Sequence, residues 1–102
     1  MAKAYNVANA GRVRDRVLRK KYGISAEQFD GMLQQQGSRC AICQTDQPNG
    51  KYNVFHVDHC HDTARVRGLL CYECNVGLGK FGDSVDRLSR AIDYLNKARE
   101  AQ

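Results

Sequence analysis

The 102-residue sequence contains no tryptophan, only three phenylalanines and a single proline. A chain this short buries a smaller share of its surface than a large domain does, so its hydrophobic core is small. No stretch approaches the roughly 20 consecutive apolar residues of a transmembrane helix, and no apolar run near Met1 resembles a signal peptide. We therefore predict one domain in the cytoplasm, without a membrane partner, that needs more than its core for stability.

Cysteine, by contrast, is plentiful. Four of the five cysteines form two C-x-x-C pairs, Cys40-Ala-Ile-Cys43 and Cys71-Tyr-Glu-Cys74. Two intervening residues let both sulfurs of a pair face one point, and four thiolates complete the tetrahedral shell of a structural Zn²⁺. Disulfides are disfavoured in a reducing compartment, and the βαβ pattern that accompanies a thioredoxin-like motif is absent. The spacing predicts a structural zinc ion without an open coordination position, hence without a catalytic role.

The 27 residues between the two pairs carry the polar run His56-Val-Asp58-His59-Cys60-His61-Asp62. All three histidines of the chain lie in this run. One histidine in a small domain is usually an ordinary polar residue, but three beside two aspartates indicate functional use. Carboxylates bind hard cations such as Mg²⁺, and a neutral imidazole can accept a proton near pH 7. The run predicts a metal-bound phosphate beside a general base.

Asn75 directly follows Cys74. Its amide oxygen can serve as a neutral ligand for a hard cation, close to a helix N-terminus that favours phosphate. The alternative is an asparagine that caps a helix or a turn. The neighbouring histidine run favours the ligand.

Basic residues are concentrated at one end of the chain. Residues 1–39 contain eight lysines and arginines against three acids, whereas residues 40–102 contain eight of each, so the net charge of +5 arises entirely in the first part. Such a segment suits a polyanionic partner, with nucleic acid the first candidate. A solubilising face explains the charge equally well, and charge alone does not decide.

The first third of the chain predicts two helices. Residues 1–11 lack periodicity and are predicted to be a loose arm. A helix over Arg12–Tyr22 would turn Val13, Val17 and Leu18 inward and end at Gly23. Ser25 with Gln28 three residues later forms a capping box for a second helix, which ends near Gly37.

The remainder predicts a hairpin and two helices. Residues 54–58 and 66–70 are β-rich and flank a polar loop. Regular alternation would place Asp58 and His59 on opposite faces, so we predict an irregularity at the end of this strand. A short helix over 71–78 follows, then a final helix capped by Asp83 or Ser84. The apolar stripe of this helix comprises Val85, Leu88, Ile92 and Leu95. We interpret it either as part of the core or as a docking face for a partner helix.

The runs HVDHCH and VRGLLCYECNVGLG, preceded by CAIC, resemble the recombination endonuclease VII family of the HNH, or His-Me finger, nucleases. The lead-in RDRVLRKKYGISAEQFDGMLQQQGSRC resembles small phage and bacterial members, and the resemblance spans Arg14 to Gly79. It implies an α+β fold in a single domain, 1–102: a basic helical lead-in at 12–39, a zinc-stapled ββα-metal core at 40–79 and a C-terminal helix at 83–100.

The resemblance also implies roles for individual residues. Asp58 and Asn75 match the ligands of a catalytic divalent ion, Mg²⁺ or Mn²⁺, and His59 matches the general base. His61 matches a histidine that contacts the scissile phosphate, while Cys60 receives no role. The matches to the structural zinc ligands are Cys40, Cys43, Cys71 and Cys74.

The resemblance implies hydrolysis of phosphodiester bonds in duplex, nicked or branched DNA, which leaves 5′-phosphate and 3′-hydroxyl ends. It also implies a phage- or prophage-encoded protein that acts in a bacterial host. The chain has no full counterpart of the C-terminal extension in the resolvase member, and Gly77 or Leu78 replaces an acid found there. Junction resolution is therefore not implied, and both a monomer and a homodimer stay open. The alternative is a non-catalytic zinc module that binds nucleic acid. The residues expected to contact DNA phosphates are Arg12, Arg14, Arg16, Arg19, Lys20, Lys21, Arg65 and Arg67.

Overall fold

A computed structural model describes the backbone of residues 2–100 and the side chains of residues 12–99; Met1, Ala101 and Gln102 lie outside the described residues. The fold is α+β, as predicted. Its small sheet is a hairpin that follows two helices and precedes two more along the chain. The elements in chain order are α1 (Ala2–Tyr22), α2 (Ala26–Gln35), β1 (His56–His59), β2 (Val66–Leu70), α3 (Tyr72–Lys80) and α4 (Val85–Glu100).

The antiparallel hairpin of β1 and β2 is irregular at one end. Asp58 lies opposite Gly68 and His59 lies opposite Val66, which leaves Arg67 as an extra residue in β2 without a partner. This β-bulge confirms the predicted irregularity beside Asp58 and His59. Bulges commonly re-aim a side chain and are frequent next to active sites.

The hydrophobic core lies where the hairpin meets the two cysteine pairs. Its fully buried side chains include Leu69, Cys40 and Cys71, so two of the predicted metal ligands are themselves core residues. Phe55, Val57 and Leu70 complete the buried set. Partly buried side chains from α1 and α2, among them Leu18 and Tyr22, pack around it.

Gln36, just after α2, attaches that helix to the sheet. Its side-chain oxygen accepts a 3.0 Å hydrogen bond from the Leu69 N–H, and its nitrogen donates to the Leu69 carbonyl at 3.0 Å. The amide thus behaves like one residue of an added strand, and it satisfies backbone groups of the most deeply buried position in β2.

Helix α1 begins earlier than predicted. The backbone is helical from Ala2, so the predicted start at Arg12 was wrong, and residues 2–11 are helical where a loose arm was predicted. Four of the first ten residues are alanine, the best helix former, and high propensity needs no amphipathic pattern. Val13 and Val17 are exposed, which also corrects their predicted inward orientation; Leu18 packs against the core as predicted.

Helix α2 begins as predicted. Ser25 and Gln28 form the capping box, with each side chain bonded to the other's backbone N–H. The Asp15 carboxylate of α1 also accepts a 2.8 Å bond from the Ala26 N–H. This bond, more than any other factor, keeps the pKa of Asp15 below its ordinary value, and Arg19 contributes further. The start of α2 is therefore fixed to the side of α1.

Helix α4 starts after Ser84, whose hydroxyl accepts from the Arg87 N–H at 3.1 Å. Its apolar stripe does not serve as ordinary core, because Val85, Ile92 and Leu95 are 79%, 58% and 60% exposed. Leu88 is half-buried. None of the helices between Ala2 and Glu100 combines the length and apolar character that crossing a membrane requires.

Candidate active site

The four cysteines of the two C-x-x-C pairs converge. Their sulfur atoms all lie within 4.8 Å of one another, in a group formed by Cys40, Cys43, Cys71 and Cys74. The Cys43 and Cys71 sulfurs are 3.7 Å apart. Sulfurs bound tetrahedrally at about 2.3 Å from a Zn²⁺ would be about 3.8 Å apart. No cysteine is in a disulfide, so the cluster can hold one metal ion.

Local backbone geometry builds this cluster. The Ile42 N–H points at the Cys40 sulfur and the Cys74 N–H at the Cys71 sulfur, each at 3.4 Å. Cys71 is also the N-cap of α3. Each pair is therefore a tight turn closed by its own first sulfur, which is the reason that two intervening residues suffice.

The thiols differ in acidity. Burial raises the pKa of Cys40, but backbone hydrogen bonds, led by those of Cys71 and Cys43, outweigh it and lower the pKa to about 6. Burial, then the neighbouring sulfurs, raises the pKa of Cys74 far above its ordinary value. Four thiolates side by side repel one another, and a bound cation would stabilise all four charges.

The carboxylate of Asp58 binds Arg67 through two hydrogen bonds. Arg67 Nε donates to Oδ2 at 2.7 Å and one terminal nitrogen donates to Oδ1 at 3.0 Å. The same guanidinium binds Asp83, in the loop between α3 and α4, at 2.8 and 3.1 Å. Asp58 is only 14% exposed and Asp83 only 20%. Arg67 thus bridges two partly buried carboxylates.

His59 lies between two other rings. Its ring centroid is 5.5 Å from that of His61 and 5.9 Å from that of Tyr22, the last residue of α1. Asp83 connects this group to the arginine bridge: hydrogen bonds from Arg67 lower the pKa of Asp83 most, and the charges of His61 and His59 lower it further. The two histidines and the Arg67 bridge therefore lie at the same, bulged end of the hairpin.

Asn75 lies in the first turns of α3, with its N–H bonded to the Cys71 carbonyl at 3.0 Å. Because Cys71 is the N-cap, the alternative role of Asn75 as a capping residue is excluded. Its side chain is half-buried, and α3 packs against both strands. The cysteine cluster thereby attaches the helix that carries Asn75 to the turn at 40–43, and the Ala41 N–H of that turn bonds the Leu69 carbonyl of β2 at 3.1 Å.

The carboxylate of Asp58, in β1, and the amide of Asn75, in α3, are the kinds of donor that suit a hard divalent cation. A carboxylate and an amide supply oxygen ligands, and Mg²⁺ sites commonly use one or two such groups and leave the remaining positions to water and substrate phosphate. The Asp58 carboxylate already has a positive group, the Arg67 guanidinium, as its partner. In this structure that carboxylate is therefore neutralised by an arginine.

The basic residues of α1 fall into two groups. Arg14 pairs with Asp30 at 2.7 Å and its guanidinium lies 5.0 Å from the centroid of the Phe29 ring. Arg19 pairs with Asp15 at 2.7 Å. Exposed positions of α1 without an acidic partner among residues 12–99 are Arg12, Arg16, Lys20 and Lys21. Arg65 is exposed in the hairpin loop, whereas Arg67 is held by its two aspartates.

Sequence reasoning did not identify Tyr22 or Asp83 as neighbours of the site. Tyr22 was expected only to precede the glycine that ends α1. Asp83 was expected only as a helix cap, but Ser84 caps α4 and Asp83 has a left-handed backbone, with φ of 55°. The left-handed backbone of Asp83 marks that residue as unusual, but this feature is visible in the structure and not in the sequence.

Comparison with known proteins agrees with this architecture. The family model for recombination endonuclease VII matches residues 15–97. The Gene 59 protein of Mycobacterium phage D29 is 49% identical over 82 residues, covering 79% of this chain and 48% of the phage protein. The Gene 59 protein of Mycobacterium phage L5 is 45% identical over 75 residues, covering 72% and 44%. The chain thus spans about half the length of these relatives.

A solved structure is similar too. The crystal structure of the ββα-Me type II restriction endonuclease Hpy99I matches with a TM-score of 0.53 and 31% identity, over 81% of this chain and 48% of that one. The hairpin and the following helix α3 correspond to the elements that give the ββα-Me fold its name. The predicted ββα-metal fold class is therefore confirmed.

Proposed function

The chain belongs to the recombination endonuclease VII family, and from this premise we propose that it is a metal-dependent DNA endonuclease of the HNH type, which hydrolyses phosphodiester bonds. One observation carries the proposal. The bulged end of the hairpin carries an imidazole, His59, and a carboxylate, Asp58, at adjacent positions, and the cysteine group fixes the start of the helix that follows.

We assign two metals with separate tasks. Cys40, Cys43, Cys71 and Cys74 would hold a structural Zn²⁺ with four thiolates and no open position. Asp58 and Asn75 would hold a catalytic Mg²⁺ or Mn²⁺. When bound, that ion supplies electrostatic stabilisation of the phosphate and of the leaving 3′ oxygen.

His59 is the proposed general base. As a neutral imidazole it takes a proton from the attacking water, and its contacts with Tyr22 and His61 limit the orientations of its ring. His61 is exposed, which suits a histidine that donates a hydrogen bond to the scissile phosphate. The products would carry 5′-phosphate and 3′-hydroxyl ends.

The proposed substrate is DNA, whether duplex, nicked or branched. The contacts to its phosphates would come from Arg65 and from the basic residues of α1 that have no acidic partner among residues 12–99, and such contacts position DNA without reading sequence. Arg67, predicted as a further contact, is held by Asp58 and Asp83. The similarity to mycobacteriophage proteins supports a phage- or prophage-encoded enzyme that acts in the cytoplasm of a bacterial host, as a monomer or a homodimer.

The test is nicking of supercoiled plasmid by zinc-loaded protein, with and without Mg²⁺ or Mn²⁺. His59→Ala should lose about 10²–10⁴ in rate, the usual contribution of a general base. His56→Ala is the matched control, because His56 is also in β1 but packs against Tyr72; it should cut at nearly the wild-type rate.

A plasmid left intact by the wild-type protein with either ion would contradict the proposal and favour the alternative, a non-catalytic zinc module that binds nucleic acid. Parallel reactions on linear duplex, nicked duplex and a four-way junction would identify the preferred DNA structure.

A further inference from the structure

Arg67 is held more completely than a surface arginine usually is. A guanidinium has five N–H groups, and four hydrogen bonds join Arg67 to Asp58 and Asp83, two to each carboxylate, at 2.7 to 3.1 Å. These bonds, with those to Asp58 the largest cause, raise the pKa of Arg67 above its ordinary value. The arginine therefore has two well-formed partners at once.

The backbone on both sides favours this arrangement. Arg67 is the extra residue of the bulge, so its side chain is not committed to a cross-strand pair. Asp83 adopts a left-handed backbone conformation, with φ of 55°, after Gly82 with φ of 68°. Such a conformation is uncommon for a residue other than glycine and persists only where its surroundings favour it. There the Asp83 N–H donates to the Leu78 carbonyl at 2.8 Å, and the Asp83 carboxylate accepts both bonds from Arg67.

The charges set up a competition. Both oxygens of Asp58 accept hydrogen bonds from the guanidinium, so a second cation at Asp58 would meet a positive charge in contact with its ligand. Repulsion between charges a few ångströms apart is large at a partly buried site. Asp83 offers the guanidinium another carboxylate without any movement of the arginine backbone.

We propose that Arg67 competes with the divalent cation for Asp58, and that Asp83 is the positioning residue that retains Arg67 when Asp58 binds the cation. The inference rests on the proposed function, because it takes Asp58 as a cation ligand. In the absence of the cation, Arg67 neutralises Asp58; in its presence, the Arg67–Asp83 pair stays beside the site as a neutral unit.

The experiment measures Mn²⁺ affinity without DNA or turnover, from the loss of the electron paramagnetic resonance signal of free Mn²⁺ on titration with zinc-loaded protein. Arg67→Gln should bind Mn²⁺ about tenfold more tightly, the size of effect that a neighbouring charge has on a carboxylate's affinity for a proton. Asp83→Asn should bind Mn²⁺ more weakly than wild type, because Arg67 then has only Asp58 as a carboxylate partner.

The double variant separates two roles for Asp83. If Asp83 acts through Arg67, its substitution should have a much smaller effect in the Arg67→Gln background than in the wild type. An equal or larger effect there would mean that Asp83 itself ligates the ion, and would overturn the proposal. Arg90→Gln removes an arginine paired with Asp86 within α4 and should leave the affinity unchanged.

The Asp58→Asn variant tests separately whether Asp58 is a cation ligand, which the proposed function requires. If Asp58→Asn leaves Mn²⁺ binding unchanged, Asp58 is not the cation ligand and the proposed site is wrong. If Asp58→Asn abolishes binding but Arg67→Gln fails to tighten it, only the competition is wrong. Circular dichroism and zinc content of each variant establish that it is folded.

Discussion

The ring of Tyr22 packs against the ring of His59, with centroids 5.9 Å apart and planes tilted by 51°. Tyr22 is the last residue of α1, and His59 is the last residue of β1. The contact joins α1, where four exposed basic residues have no acidic partner among residues 12–99, to the proposed general base. DNA bound along α1 would therefore be led toward the histidine.

Tyr22→Ala should slow single-turnover nicking by about 10- to 100-fold with little change in DNA affinity, because small displacements of a catalytic group are costly in rate. Tyr22→Phe keeps the ring and should keep most of the activity. Tyr52→Ala, at a position 76% exposed, is the control for loss of a tyrosine. If Tyr22→Phe were as slow as Tyr22→Ala, the ring contact would not be the cause.

Gln36→Ala should lower the free energy of unfolding by about 1–3 kcal/mol, the cost of leaving a buried hydrogen-bonding group without a partner. That group is the Leu69 N–H, which donates to the Gln36 side chain; the Leu69 carbonyl keeps its 3.1 Å bond from the Ala41 N–H. Urea denaturation of zinc-loaded protein measures the change. Gln35→Ala, at an exposed position in the last turn of α2, should stay within about 0.5 kcal/mol of wild type.

Loss of the cysteine cluster should unfold the protein, whereas omission of Mg²⁺ should stop only the cut. Cys71→Ser removes a sulfur that is both a core residue and the N-cap of α3, so zinc content and helical circular dichroism should fall together. Cys60→Ser, at the cysteine outside the cluster, should retain both. A Cys71→Ser protein with normal circular dichroism would contradict a structural role for the metal.

Arg16→Ala and Lys20→Ala should each reduce the slope of log affinity against log salt by about one, as expected for the loss of one phosphate contact. The four-residue spacing places both on one face of α1. Arg14→Ala should change the slope less, because Asp30 already neutralises that charge. Fluorescence anisotropy of a labelled duplex in Mg²⁺-free buffer measures all three. Equal slopes for the three variants would show that the ion pair does not distinguish Arg14.

Local patterns in the sequence predicted local structure well. The Ser25–Gln28 capping box, the strand at 66–70 and the two C-x-x-C turns each depend on residues a few positions apart, and each is present. The start of α1 at Ala2 was missed because the first residues favour a helix by their alanine content and show no periodic pattern of apolar residues. The stripe of α4 was interpreted as core or as a docking face, because apolar spacing is the same whether or not another surface covers it.

Contacts between distant segments could not be predicted. Gln36 was an ordinary polar residue until the fold brought it to Leu69, 33 positions away. The same holds for Asp83 and Arg67, which are 16 apart, and for Tyr22 and His59. At the site, the requirement that Asp58 and His59 reach one metal predicted an irregularity in the strand that carries them. It did not predict that the extra residue would be Arg67, in the facing strand.

The bulge makes the length of β2 as important as its composition. Deleting Arg67 would restore an even ladder, with Gly68 directly following Val66, and would remove the residue of this hairpin end that has no cross-strand partner. A substitution at position 67 changes one side chain, but a deletion changes the angle between the strands and the approach of Asp83 as well. We therefore expect this hairpin to tolerate substitutions more readily than insertions or deletions.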